Sequence, residues 1–168
     1  MIYLIDFGLA SPYLNADGSH IQKQQLNKFS GNFLFASLNS CRGYSKSRRD
    51  DIESAFHMLI YLINNQSLPW SDFGTKYNTP NMKFSDFLLE RLQKKYTRKL
   101  FQMIPNDLYD CLKKVLCLKF DQEPPYDYIL KNLQNCFMKA NRALTPQAPP
   151  SSMNVNQNFS AAAASQTN

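Results

Sequence analysis

The sequence predicts a mainly α-helical fold, a bundle of about four to six helices behind a short N-terminal strand or hairpin. Apolar residues recur at helical spacing in four separate segments, and proline or Asp/Asn cap signals stand between those segments. A hydrophobic fraction of 43% and an aromatic fraction of 13% across 168 residues are enough to build one real core.

The elements follow in order. Ile2-Tyr3-Leu4-Ile5 reads as a short buried strand. A polar stretch runs from Ser11 to Ser30, and Asn15-Ala16-Asp17-Gly18 within it suits a hairpin or loop tip. Helical spacing then appears at Ile52, Phe56, Leu59, Ile60 and Ile63, with Asp50 and Asp51 placed to cap the start. Ala55, Met58 and Leu62 are apolar too, so this helix is hydrophobic nearly all round and belongs at the centre of a bundle. Leu68-Pro69-Trp70 closes the region with a turn, and Asn78-Thr79-Pro80-Asn81 marks a loop. A helix over Phe84 to Lys95 follows, carrying Phe84, Phe87, Leu88 and Leu92. Pro105-Asn106-Asp107 opens another, with Leu108, Cys111, Leu112, Val115 and Leu116. Pro124-Pro125 breaks the chain before a last helix from Tyr126 to Arg142, with Ile129, Leu133 and Phe137 on one face. Residues 1–144 form the folded domain. Residues 145–168, poor in apolar side chains and without charge, read as a disordered low-complexity tail.

A net charge of +6 raises the question of nucleic acid, but the basic residues are scattered. The densest cluster, Arg91 to Lys99, lies along one helix, and no nucleic-acid motif accompanies it. Cys41, Cys111, Cys117 and Cys136 show no metal-type spacing, which predicts buried or half-buried free thiols in a reducing compartment. The longest apolar run, Ala55 to Ile63, is too short for a bilayer, and Met1-Ile2-Tyr3 leaves no room for a signal peptide. The expected setting is cytoplasmic or nuclear, with no membrane and no nucleic-acid partner. His20, His57 and Trp70 are read as ordinary surface or core residues.

Several motifs carry a resemblance to one family. Ile2-Tyr3-Leu4-Ile5-Asp6-Phe7-Gly8-Leu9-Ala10 is similar to the magnesium-loop strand of the casein kinase 1 family of Ser/Thr protein kinases. Phe35-Ala36-Ser37-Leu38-Asn39 resembles that family's Ser-Ile-Asn motif. Ser47-Arg48-Arg49-Asp50-Asp51-Ile52-Glu53-Ser54 resembles the opening of its central helix, and Ser67-Leu68-Pro69-Trp70 follows at the family's distance. Leu118-Lys119-Phe120-Asp121 and Pro125-Tyr126-Asp127-Tyr128 resemble the junction before its last helix. The match is collinear over roughly residues 1 to 140.

The resemblance implies the helical C-lobe of a protein-kinase-like fold, and an activity of ATP-dependent protein phosphorylation in the parent family. It implies a magnesium position at Asp6, with Phe7 and Gly8 shaping the turn behind it. Ser37 and Asn39 belong to the activation segment, Arg48 and Arg49 to a solvated basic pair or anion site, and Asp51 to a loop-anchoring or simple capping role. Two positions depart from the family: Leu34 stands where it has an arginine, and Asn27, beside Lys28, where it has a lysine. Phe56 replaces a small glycine. No Gly-rich loop, V-A-I-K lysine or H-R-D motif occurs in these residues, so the N-lobe and catalytic loop have no counterpart here. Mg and ATP are therefore the parent family's cofactors and are not expected to bind this chain tightly. The chain alone is expected to be inactive, no residue being assigned as catalytic. The alternative is a non-catalytic, kinase-derived module that binds a protein partner. Cover is expected to be missing from the face of Ile52, Leu59, Ile60 and Ile63, which would leave the chain marginally stable and prone to self-association.

Overall fold

The computed structural model describes residues 3–26, 29–71 and 98–144. Asn27, Lys28, the loop at 78–81, the helix expected over 84–95 and the tail at 145–168 lie outside them. The described residues form five helices: α1 (Leu38–Cys41), α2 (Arg48–Ile63), α3 (Arg98–Gln102), α4 (Asn106–Leu116) and α5 (Tyr126–Leu144). They contain no named strand, only the isolated antiparallel bridges Leu14–His20 and Gln25–Tyr44. The fold is thus mainly helical, as the spacing predicts.

The core lies where α2, α4 and α5 meet. Phe56 and Ile60 of α2 face Leu108, Cys111, Leu112 and Val115 of α4, while Leu68, Trp70, Leu100, Ile104, Leu118 and Ile129 close the cluster. The α4 stripe falls at three- and four-residue spacing, so one face of that helix is buried throughout. α2 ends at Asn64, whose side-chain amide donates to Ile60 O at 2.8 Å and to Met103 O at 2.8 Å. The first bond caps the helix. The second ties its end to the turn after α3.

The Asn15-Ala16-Asp17-Gly18 tip forms as expected. Asn15 N donates to Ser19 O at 2.8 Å, Gly18 has φ 80°, and Asp17 accepts from Ser19 N and Oγ. Both Ser19 bonds hold the Asp17 carboxyl below the usual carboxylate range. Gly43 is required for a different reason. At φ +80° a Cβ would also meet Gln25 Nε2 at 2.9 Å and Leu26 O at 3.0 Å, the very contacts that hold the 24–26 segment in place.

Four expectations are corrected. Tyr3, Leu4 and Ile5 are not a buried strand: they are 73%, 82% and 80% exposed and irregular. A strand needs a neighbour to receive its N–H and C=O groups, and none pairs with this segment among the described residues. Second, α2 is not enclosed on all sides. Ile60 is fully buried under α4, whereas Met58, Leu62 and Ile63 are exposed and Ile52 and Leu59 half-buried, so of the face expected to lack cover only Ile60 is fully covered. Third, Phe137 stands out in solvent, while Ile129 is buried and Leu133 half-buried. The C-terminal half of α5 extends past the core. Finally, all four cysteines are free, but Cys117 is exposed rather than covered.

Candidate functional site

Asp6, Phe7 and Gly8 make a tight turn. Gly8 N donates to Asp6 Oδ1 at 3.0 Å, and a side chain at Gly8 would bring a Cβ within 3.2 Å of that oxygen. Asp6 itself holds φ 78°, a left-handed conformation that L-residues adopt at a cost. This turn forms one wall of a cleft of about 360 Å³. The other wall comes from the start of α2 and the residues before it: Lys46, Ser47, Arg48 and Asp51. Leu4, Ile5 and the stretch from Leu9 to Tyr13 complete the lining. The fold therefore brings Asp6 and Asp51 to one cavity, although 45 positions of sequence separate them.

Asp50 and Asp51 divide the roles that the sequence left between them. Asp50 caps the helix. It is 1% exposed, accepts from Ser47 N at 3.0 Å as the reciprocal half of a capping box, and takes the Ser37 hydroxyl at 2.6 Å. Simple capping by Asp51 is thereby corrected: its side chain lines the cleft instead. Loss of water on its inner side raises the Asp51 carboxyl above the usual range; Lys46 opposes the shift and Asp50 adds to it.

That shift has a testable sign. A carboxyl raised in the folded state binds its proton more tightly there than in the unfolded chain. Stability is then lost as pH rises from the unfolded value of about 3.9 through the raised folded value. Asp51→Asn is expected to be more stable than the parent at neutral pH, and to match it at a pH where both carboxyls are protonated. Urea unfolding at the two pH values checks this. A less stable variant at neutral pH would refute it.

Ser37 and Asn39 belong to a segment clamped onto α2. Ser37 is buried and its Oγ accepts Ser40 N at 3.0 Å, capping α1. Leu38 N donates to Glu53 Oε1 at 2.6 Å, and His57 Nδ1 donates to Phe35 O at 2.9 Å. Asn39 O receives Tyr44 N at 3.0 Å and Arg42 N at 3.1 Å, turning the chain out of α1. Glu53 is a buried structural residue to which the sequence reading assigned no role, and His57 is a core histidine, one of the two ordinary places expected for it. Their signal was available: Asp50, Glu53 and His57 stand at i, i+3 and i+7, one polar stripe on an otherwise apolar helix.

Arg48 and Arg49 are not a solvated pair. Their side chains are only 18% and 12% exposed. Arg49 Nη1 donates to Leu118 O at 2.7 Å, and its guanidinium lies 5.8 Å from the Phe120 ring centre. Arg48 Nη2 donates to Asp121 O at 3.2 Å, and the group lies 4.7 Å from the Tyr13 ring centre. These bonds fasten the connection between α4 and α5 to the start of α2. Ion pairing of Arg48 with Glu123 at 3.9 Å adds little, since that glutamate is 72% exposed. Leu34 is half-buried, with its carbonyl accepting Trp70 Nε1 at 2.7 Å, and Phe56 is a core residue. His57 and Trp70 are core residues too, the rings meeting edge to face at 5.2 Å.

A magnesium ion prefers several oxygen ligands in octahedral array. Asp6 offers one carboxylate, and no group of three metal-ligating side chains occurs among the described residues. Asp6 and Asp51 are the two carboxylates of the cleft, the kind of oxygen ligand that a hard cation takes together with substrate phosphates. No helix among the described residues is long and apolar enough to cross a membrane.

No protein-family model matches the chain. It is 35% identical to a protein of Encephalitozoon cuniculi named "probable casein kinase I homolog", over 81% of this chain and 42% of that relative. The chain thus spans about two fifths of the relative's length. Shared identity at this level across a helical fold establishes a kinase-like relationship for the chain.

Proposed function

We propose that the chain is the C-terminal lobe of a casein kinase 1-type Ser/Thr protein kinase domain, and that the parent reaction is ATP-dependent phosphorylation of protein. The observation that carries this reading is the shared cleft of Asp6 and Asp51, with the 35–41 segment clamped on α2 beside it. In such a domain Asp6 would contribute one oxygen to magnesium. The two buried acceptors on α2, Asp50 and Glu53, would hold the substrate-facing segment rigid. Phosphoryl transfer depends on positioning ATP and stabilising its charge, work that the parent family does largely with its Gly-rich loop, ATP lysine and H-R-D motif, none of which occurs in these residues. These 168 residues alone are therefore proposed to be inactive.

Calorimetric titration of the purified chain with Mg·ATP, alongside a phosphate-transfer assay on casein, is expected to give no saturable heat and no product. Either signal would overturn the proposed inactivity. The kinase reading itself is checked by the transcript upstream of Met1, where an in-frame Gly-rich loop and H-R-D are expected. An in-frame stop there would favour the second reading, a non-catalytic module that binds a protein partner. One observation supports that second reading: a groove of about 230 Å³ between α2 and α5, lined by Ile52, Ala55, Phe56, Leu59, Ile129 and Leu133 among others, with almost no polar surface.

A further inference from the structure

α2 and α5 set off side by side. Arg48, at the start of α2, bonds to Asp121 O at 3.2 Å in the connection that leads into α5, and Tyr126 at the start of α5 lies within reach of the Arg48 and Asp51 charges. Seven residues further along each helix they are still neighbours: Ile52 and Leu59 of α2 line one groove with Tyr126 and Leu133 of α5. The two helices thus run in the same direction, with the groove of about 230 Å³ between two apolar rails. Ile52, Leu59 and Ile63 share one face of α2, and Tyr126, Leu130, Leu133 and Phe137 share one face of α5, at three-, four- and seven-residue spacing. Ile63 and Phe137 carry the rails one turn past the groove.

Both rails are open. Tyr126, Leu130 and Phe137 are 39%, 56% and 64% exposed and Ile63 is 48% exposed, and among the described residues no element covers them. From Phe137 to Ala143 every side chain of α5 is exposed, although a helix end of this kind is held by packing more than by propensity. At roughly 200 Å² for a large side chain, these residues with the half-buried Ile52, Leu59 and Leu133 leave about 500 Å² of apolar surface on one copy. Two such faces together reach about 1,000 Å², the size at which a specific interface becomes stable.

We propose that a second copy of this chain covers the face, through a twofold axis near Leu59 and Leu133 that lays α2 and α5 antiparallel on the same two helices of the partner copy, four helices around one apolar layer. The face is self-complementary. Turned end for end, the protruding Phe137 of one copy arrives level with Leu130 of the other and fills its groove, and the reverse contact is identical. Charge agrees with this direction: Asp127 stands in the first turn of α5 and Arg142 in the last, so antiparallel packing sets each end against its opposite. A single helix of another protein would fill the groove but leave Phe137 and the last turns of α5 bare. The inference rests on the groove of the second reading and names its partner; it is measured without nucleotide, so its failure leaves the tests of the kinase reading untouched.

The test is analytical ultracentrifugation of the full chain over a wide concentration range, with reductant present so that the exposed Cys117 cannot cross-link copies. A monomer–dimer equilibrium is expected, with a thermal midpoint that rises with protein concentration. Phe137→Glu should weaken the dimer more than about a hundredfold, since both copies lose a central aromatic. Met138→Glu, exposed on the neighbouring side of α5 and off the rail, should leave it unchanged. The orientation has its own readout. Asp127→Arg and Arg142→Asp should each weaken the dimer about fivefold, and an equal mixture of the two variants should recover the parent's affinity, because each then meets its opposite. A monomer at every concentration would overturn the proposal, as would full dimerisation of Phe137→Glu or an equal loss in Met138→Glu. A mixture that associates no better than either variant alone would overturn it too.

Discussion

Trp70→Ala is expected to destabilise the chain by about 4 kcal/mol, the largest effect of any single substitution discussed for this fold. Trp70 is 2% exposed and joins three parts of the structure. Its ring packs in the core cluster with Phe56 and Ile60, meets His57 edge to face, and its indole N–H satisfies the Leu34 carbonyl. Alanine would leave a cavity and an unpaired buried carbonyl together, and the two costs add. Trp70→Phe separates them: it keeps most of the ring and loses the hydrogen bond, for an expected cost of about 1 to 2 kcal/mol. Denaturant unfolding of both variants measures the difference. Equal losses would show that the hydrogen bond, and not the packing, dominates at this site.

Asp50→Ala is expected to cost about 3 kcal/mol. One carboxylate serves two buried donors, Ser47 N and the Ser37 hydroxyl, so its removal orphans both while deleting the cap of α2. The consequence reaches beyond the helix. With Ser37 released, the 35–41 segment loses one of its buried ties to α2, and hydrogen exchange of Ser40 N and Cys41 N should accelerate. Ser37→Ala removes one of the two donors to Asp50 together with the cap on Ser40 N, and should cost about 1 to 2 kcal/mol. A loss from Asp50→Ala no larger than from Ser37→Ala would disprove the shared-acceptor account.

Most helix positions could be read from local pattern. The α4 stripe Leu108, Cys111, Leu112 and Val115 was legible, because a helix with one buried face writes that face into its spacing. The Asn15–Gly18 tip was legible as well, since its bonds close within five residues. Tyr3-Leu4-Ile5 misled because a strand is defined by its neighbour, and an apolar run carries no information about whether a neighbour is present. α2 was ambiguous for a related reason. A helix apolar on every side does not say which side is covered, and the answer depends on α4 and α5.

The sequence by itself determined the helical class, the turn at Asp6-Phe7-Gly8, and the segments whose similarity to a casein kinase I homolog spans 81% of the chain. These are properties of local bonding and of residue order. Only the tertiary structure decided which of two adjacent carboxylates, Asp50 or Asp51, is buried as a cap and which faces the cleft with Asp6. It also turned Arg48 and Arg49 from a surface pair into the fastening of the 118–123 connection. Adjacent helical residues point about 100° apart, so a helix start can bury one aspartate and open the next. Which is which depends on the elements that pack against them.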